Sequence, residues 1–133
     1  MILQRENILQ GWVIFFSTAL GQLYPGGDIK HEMAIEAAIL HKLSNDSETL
    51  FGKWDYISHQ VPASPFKPVD YMDRIDIFAY KFLENTRVIS KYMVIEIKKD
   101  VADVDAISQL AKYIDWVCLE YAYGDYSLIE GYV

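Results

Sequence analysis

Apolar residues recur every three or four positions in three segments of the chain, which is the spacing of an amphipathic helix. The first segment covers residues 4–23, the second follows Asp28, and the third follows Asp103 or Asp105. Each of these aspartates is a suitable helix N-cap. The third helix has the clearest apolar stripe, which consists of Ile107, Leu110, Ala111, Ile114, Val117, Cys118 and Tyr121. The pattern therefore predicts three helices.

Runs rich in β-branched and aromatic residues, with polar residues alternating between them, predict four strands. They cover residues 53–61, 73–80, roughly 88–98 and 127–133. The turn-forming stretch Glu84-Asn85-Thr86 separates the second strand from the third, so these two are expected to form an antiparallel hairpin. The element order is then α-α-β-β-β-α-β. This order predicts an α/β domain (α+β) with a mixed sheet flanked by helices.

The chain of 133 residues has the length of one domain. Residues 1–27 are expected to form a helical extension, and residues 28–133 the core. The strand pattern continues to Val133 without a terminating signal, so we expect the sequence to be a domain cut from a longer protein. The edge of that last strand would then pair with further domains or with a second copy in a homodimer.

Composition and charge limit the expected location and binding partners of the protein. With one cysteine, Cys118, the chain can form no internal disulfide, which fits a reducing, cytoplasmic location. No apolar run is long enough to cross a bilayer, so no membrane association is expected. The net charge of −7 argues against a protein that coats nucleic acid nonspecifically. Residues 53–99 are the exception, because they carry eight basic and six acidic residues.

The most informative polar residues lie in the third predicted strand, where Glu96 and Lys98 are two positions apart and share a face. A carboxylate and an ammonium on an apolar strand are costly to bury unless they are paired or used. If the hairpin forms, Asp76 projects beside Glu96 from the neighbouring strand. Two carboxylates with a backbone carbonyl suit Mg²⁺ or Mn²⁺, and such a cation supports phosphodiester hydrolysis. Lys98 would then orient the attacking water or neutralise the transition state.

These segments resemble the PD-(D/E)XK nuclease superfamily, which has the restriction-endonuclease-like fold. The matching residues are Arg74-Ile75-Asp76, then Val94-Ile95-Glu96-Ile97-Lys98, then the helical stretch 105–110 followed by Tyr113. The sequence is most similar to the RecB-like and NucS-type branch, in which a Gln-x-x-x-Tyr helix follows the Glu-x-Lys strand. The resemblance covers roughly residues 30–133, and the predicted α-β-β-β-α-β order is that of the family's core.

The resemblance implies a divalent-metal-dependent nuclease that cuts DNA, with RNA left open as a substrate. It implies the catalytic residues Asp76, Glu96 and Lys98. It implies a Mg²⁺ or Mn²⁺ site formed by Asp76, Glu96, the carbonyl of Ile97, and Glu36 on the family's first core helix. It also implies that Gln109, Tyr113 and Arg74 line the site or contact the substrate.

Two residues depart from the family pattern: Ile75 stands where proline is common, and Asp73 where the NucS-type pattern has glycine. Each motif also has a simpler interpretation. Glu-x-Lys occurs on exposed strand faces and in cross-strand ion pairs, and His59 has no predicted partner. The alternative function is therefore a catalytically inactive nuclease-fold module for nucleic-acid binding or protein assembly. The acidic flanks and the open last strand motivate that alternative.

Overall fold

A mixed β-sheet with helices packed against it forms the frame of the protein in the computed structural model, which describes residues 32–45, 51–63, 73–98 and 103–133. The helices are α1 (Glu32–Asn45) and α2 (Val104–Glu120). The strands are β1 (Tyr56–Pro62), β2 (Arg74–Phe82), β3 (Ile89–Ile95) and β4 (Ile129–Tyr132), with a 3₁₀ turn at Tyr126–Leu128. The predicted helix over residues 4–23, the Asp28 cap and the extension over residues 1–27 lie outside the described residues.

The strands are ordered β1-β2-β3-β4 in the sheet. β1 with β2 and β2 with β3 are antiparallel, whereas β4 runs parallel to β3 after a crossover through α2. The predicted β2–β3 hairpin is confirmed, with Asn85 in the left-handed region (φ 59°) at its turn. The sheet is therefore mixed, as the element order predicts for an α+β domain.

The third strand ends earlier than the sequence pattern predicts. β3 stops at Ile95, so Glu96, Ile97 and Lys98 follow the strand instead of continuing it to residue 98. The Glu96 N–H still donates to the carbonyl of Tyr132 in β4 (2.9 Å). The Ile97 N–H donates instead to the side chain of Asp76 (2.8 Å). The Ile97 N–H is thus bound by the carboxylate of Asp76 instead of by a backbone carbonyl of a neighbouring strand, and regular strand pairing ends before Ile97.

The apolar side chains form two clusters because successive residues of the central strands point to opposite faces. One cluster joins α1 to the first face and consists mainly of Ile35, Ile39, Leu43, Ile77, Ala79, Met93, Ile95 and Ile97. The other joins α2 to the second face and includes Phe78, Tyr92, Val94, Leu110, Tyr113, Ile114, Val117 and Cys118. β3 contributes to both clusters, and its second half, which leads to the residues that follow it, is buried on both faces.

None of the helices in the described ranges combines the length and the apolar character that crossing a membrane needs.

The start of α2 is fixed by Asp103, whose carboxylate accepts the N–H of Ala106 (2.8 Å), so the predicted N-cap is confirmed. Replacing Asp103 with alanine is expected to reduce the free energy of unfolding by about 1 kcal/mol and the Tm by about 4 °C. Asp105→Ala is the matched control, because this exposed first-turn aspartate loses only its interaction with the helix dipole, about 0.3 kcal/mol. Thermal denaturation of the two variants measures these changes. Equal decreases in Tm for Asp103→Ala and Asp105→Ala would contradict the capping role of Asp103.

Candidate functional site

Asp76 and Glu96 face each other across the β2–β3 hairpin. Ile77 pairs with Ile95 in the ladder, so the next residues outward, Asp76 and Glu96, are opposite each other. The Oε1 atom of Glu96 lies 3.2 Å from the Nζ atom of Lys98. The structure therefore brings together the three side chains that were predicted to be catalytic.

The Glu96 carboxylate is buried, with 4% of the residue exposed. Burial and, after it, the charge of Asp76 raise its pKa to about 7 against the opposing effect of Lys98. Burial also raises the pKa of Asp76, while the Ile97 N–H and the Gln60 amide oppose that change. For Lys98, burial favours the neutral amine, but the carboxylates of Glu96, Glu32 and Asp76 together outweigh it and the pKa is raised. Two carboxylates thus share a desolvated position with one ammonium, which leaves an excess of negative charge.

One oxygen of Glu96 is unsatisfied. Within the part of the chain that the structure describes, Glu96 Oε2 is buried and has no hydrogen-bond partner. A buried carboxylate oxygen without a partner is unfavourable unless a ligand meets it. With the Asp76 carboxylate adjacent, this oxygen fits a hard divalent cation such as Mg²⁺ or Mn²⁺, which prefers oxygen ligands. The role predicted for the Ile97 carbonyl stays a prediction.

Glu36 reaches the same region from α1. Its Oε1 lies 2.9 Å from His59 Nδ1, and its Oε2 accepts a hydrogen bond from Gln60 Nε2 (3.0 Å). Gln60 Nε2 also donates to Asp76 Oδ1 (3.1 Å), so Glu36 is connected to Asp76 through Gln60. Among the residues with described positions, no group of three or more His, Cys, Asp or Glu side chains is arranged to hold a metal ion. Glu36 therefore belongs to the network around Asp76 and Glu96 but does not form a three-ligand cluster with them.

Two residues of this network were not identified from the sequence. No partner was predicted for His59, and Glu36 contacts it. Gln60 was not singled out at all. Both contacts depend on the packing of α1 against the sheet, which joins residues more than 20 positions apart.

The three predicted substrate residues occupy different environments. Tyr113 is 1% exposed and packs in the α2 cluster, and burial raises its pKa to about 12, with Glu96 and Asp76 contributing. Gln109 Nε2 donates to the Tyr113 hydroxyl (2.5 Å). Tyr113 thus lines the site from within the core, whereas Gln109 lies closer to solvent. Arg74, at the start of β2, is exposed, and its role with substrate stays a prediction.

An open depression of about 230 Å³ lies beside the first turns of α2. Its lining residues are Asp73, Asp105, Ser108, Gln109 and Lys112. Lys112 forms an ion pair with Asp73. The negative charge at position 73, a departure from the family pattern, is thereby offset by a lysine of α2.

No protein family, curated protein or solved structure matches this chain. The class of the protein is therefore defined by what has been described: a mixed α/β domain in which two carboxylates and a lysine meet where β3 ends. Its function must be argued from those residues.

Proposed function

We propose that this protein is a divalent-metal-dependent nuclease that hydrolyses phosphodiester bonds in DNA, with Mg²⁺ or Mn²⁺ as its cofactor. The observation that carries the proposal is the buried Glu96 carboxylate, which has one oxygen paired with Lys98 and the other without a partner beside Asp76. A buried carboxylate oxygen without a partner is unfavourable unless a ligand meets it. The element order α1-β1-β2-β3-α2-β4 supports the likeness to the PD-(D/E)XK nucleases.

The side chains have separate roles in this proposal. Asp76 and Glu96 hold the cation, which when bound lowers the pKa of a coordinated water and neutralises charge on the scissile phosphate. Lys98 keeps about a third of its side chain exposed, so its ammonium can reach a phosphate or a water at the surface while staying paired with Glu96. Arg74 is exposed two residues before Asp76 and binds the nucleic-acid backbone. A cytoplasmic location belongs to the same proposal.

A second candidate is an inactive module with the same fold, which binds nucleic acid or assembles with other proteins. The observation that favours it is the lack of a three-ligand metal group in the described residues. The overall charge of −7 opposes nucleic-acid binding that depends on phosphate contacts alone, and so favours the form of this candidate that assembles with other proteins. The two candidates differ in their affinity for a divalent cation and in whether they cleave nucleic acid.

Titration calorimetry with Mn²⁺ tests this difference. The nuclease proposal expects a saturable binding event in the wild-type protein, lost in Glu96→Gln, and cleavage of circular single-stranded or duplex DNA that stops when a chelator is added. Parallel reactions with RNA establish the substrate class. No binding at millimolar Mn²⁺, together with intact DNA and RNA, would contradict the proposal and favour the inactive module.

A further inference from the structure

Gln60 has a backbone conformation that is unusual for a strand. It lies within β1 between His59 and Val61, whose partners in β2 are Ile77 and Ile75, so Gln60 is opposite Asp76. Its φ angle is 52°, in the left-handed region. For a residue with a side chain this conformation costs about 1 kcal/mol or more, and it persists only where the surroundings impose it.

The side chain of Gln60 shows what that conformation achieves. Its Nε2 donates to Glu36 Oε2 (3.0 Å) and to Asp76 Oδ1 (3.1 Å). A carboxamide nitrogen carries two hydrogens, and both carboxylates are acceptors, so each donor has a charged partner. One neutral side chain therefore joins an acid of α1 to an acid of β2 without adding charge.

Gln60 and one other donor together hold both oxygens of the Asp76 carboxylate. The other oxygen of that carboxylate, Oδ2, accepts the Ile97 N–H (2.8 Å). Each oxygen of Asp76 is thus held by one donor, and a planar group held at both oxygens cannot rotate about its terminal bond. The orientation of Asp76 toward Glu96 is set by two contacts, and Gln60 provides the one that comes from a side chain.

We infer that Gln60 is a positioning residue, which orients Asp76 for binding of a divalent cation and keeps Glu36 at the edge of the site. The effect on cation binding and cleavage rests on the proposed nuclease function. The effect on Asp76 itself does not, because it can be measured without metal. The left-handed backbone at position 60 is the structural cost of directing this carboxamide between two carboxylates.

Gln60→Gly is the test variant, because glycine adopts the left-handed region without strain while the side chain, with its carboxamide, is removed. The loss of two hydrogen bonds is then partly offset by relief of strain, so the Tm should change little. Asn85→Gly is the matched control: Asn85 is also left-handed (φ 59°) but lies in the β2–β3 turn, away from the site. Gln60→Asn tolerates the same backbone and is one methylene shorter, so it replaces the glycine variant if that variant does not fold.

Hydrogen exchange of the Ile97 amide, followed by NMR without metal, reports whether Asp76 is still held. We expect about tenfold faster exchange in Gln60→Gly, which corresponds to a loss of about 1.4 kcal/mol, and no change in Asn85→Gly. With metal, we expect about tenfold weaker Mn²⁺ binding and a lower kcat at unchanged KM for DNA. Unchanged Ile97 exchange in Gln60→Gly would overturn the inference. If the wild-type protein binds no Mn²⁺ and cleaves nothing, the nuclease proposal fails, while the Ile97 measurement still decides the role of Gln60.

Discussion

Replacing Asp76 with asparagine is expected to lower DNA cleavage by at least about a thousandfold, with the fold retained. Asparagine has the size of aspartate, so the hairpin and both clusters can stay in place. It carries no charge, however, and its amide nitrogen would face one of the two donors, Gln60 or the Ile97 N–H, that now hold Asp76. Both effects remove affinity for a hard cation. The measurement is kcat with Mg²⁺ or Mn²⁺, together with calorimetric titration of the same metal.

The chain offers a close control for this variant at the other end of β2. Asp55 accepts the backbone N–H of Phe82 through its carboxylate (2.7 Å), as Asp76 accepts that of Ile97. Asp55→Asn therefore makes the same chemical change at a carboxylate that also holds a backbone donor, but without Glu96 and Lys98 nearby. We expect a similar small loss of stability and full cleavage activity. Cleavage that survives in Asp76→Asn at the wild-type rate would remove Asp76 from the site.

Replacing Glu96 with glutamine is expected to stabilise the metal-free protein at pH 8. The pKa of Glu96 is about 7 in the folded protein, raised first by burial and then by Asp76, against an ordinary value of 4.5. The folded state therefore keeps the proton to a higher pH than the unfolded state does. Stability falls as pH rises from about 4.5 to about 7, by up to about 3 kcal/mol for this group. Glutamine cannot ionise, so the variant escapes that loss.

Urea denaturation of both proteins at pH 4.5 and pH 8, with a chelator present, measures the effect. At pH 4.5 the two free energies of unfolding should be similar, and at pH 8 the variant should exceed the wild type by up to about 3 kcal/mol. Mn²⁺ at about 100 times its Kd should then stabilise the wild-type protein by about 2.7 kcal/mol and leave the variant unchanged. If the difference in free energy of unfolding between the two proteins is the same at both pH values, Glu96 does not have a raised pKa in the folded protein.

The position of Asp76 opposite Glu96 could be predicted from the sequence, because it depends only on residues close together in the chain. Strand alternation and a three-residue turn signal are enough to define the hairpin and the side of the sheet on which each carboxylate lies. The end of β3 could not be predicted in the same way. It depends on a hydrogen bond from the Ile97 N–H to a side chain, and the apolar pattern at residues 95 and 97 continues through it unchanged.

The burial of Tyr113 could have been predicted, because the residue is three positions after Leu110 and four before Val117. That spacing belongs to the buried stripe of α2, and the stripe does include Tyr113. Gln60 is different. Nothing in a glutamine within a strand pattern indicates a left-handed backbone, and its two partners lie in α1 and β2. Contacts of this kind arise only when separate elements have packed together.

The parallel pairing of β4 with β3 ties the site to a short strand at one edge of the described sheet. β4 is a four-residue strand at the sheet edge, and its Tyr132 carbonyl holds the Glu96 N–H. Short edge strands fray at temperatures at which central strands stay paired. Fraying of β4 would release Glu96 while the β2–β3 hairpin is still intact. On heating, the proposed metal binding and cleavage should therefore be lost before the sheet, so the temperature range of the proposed activity would be narrower than the melting curve indicates.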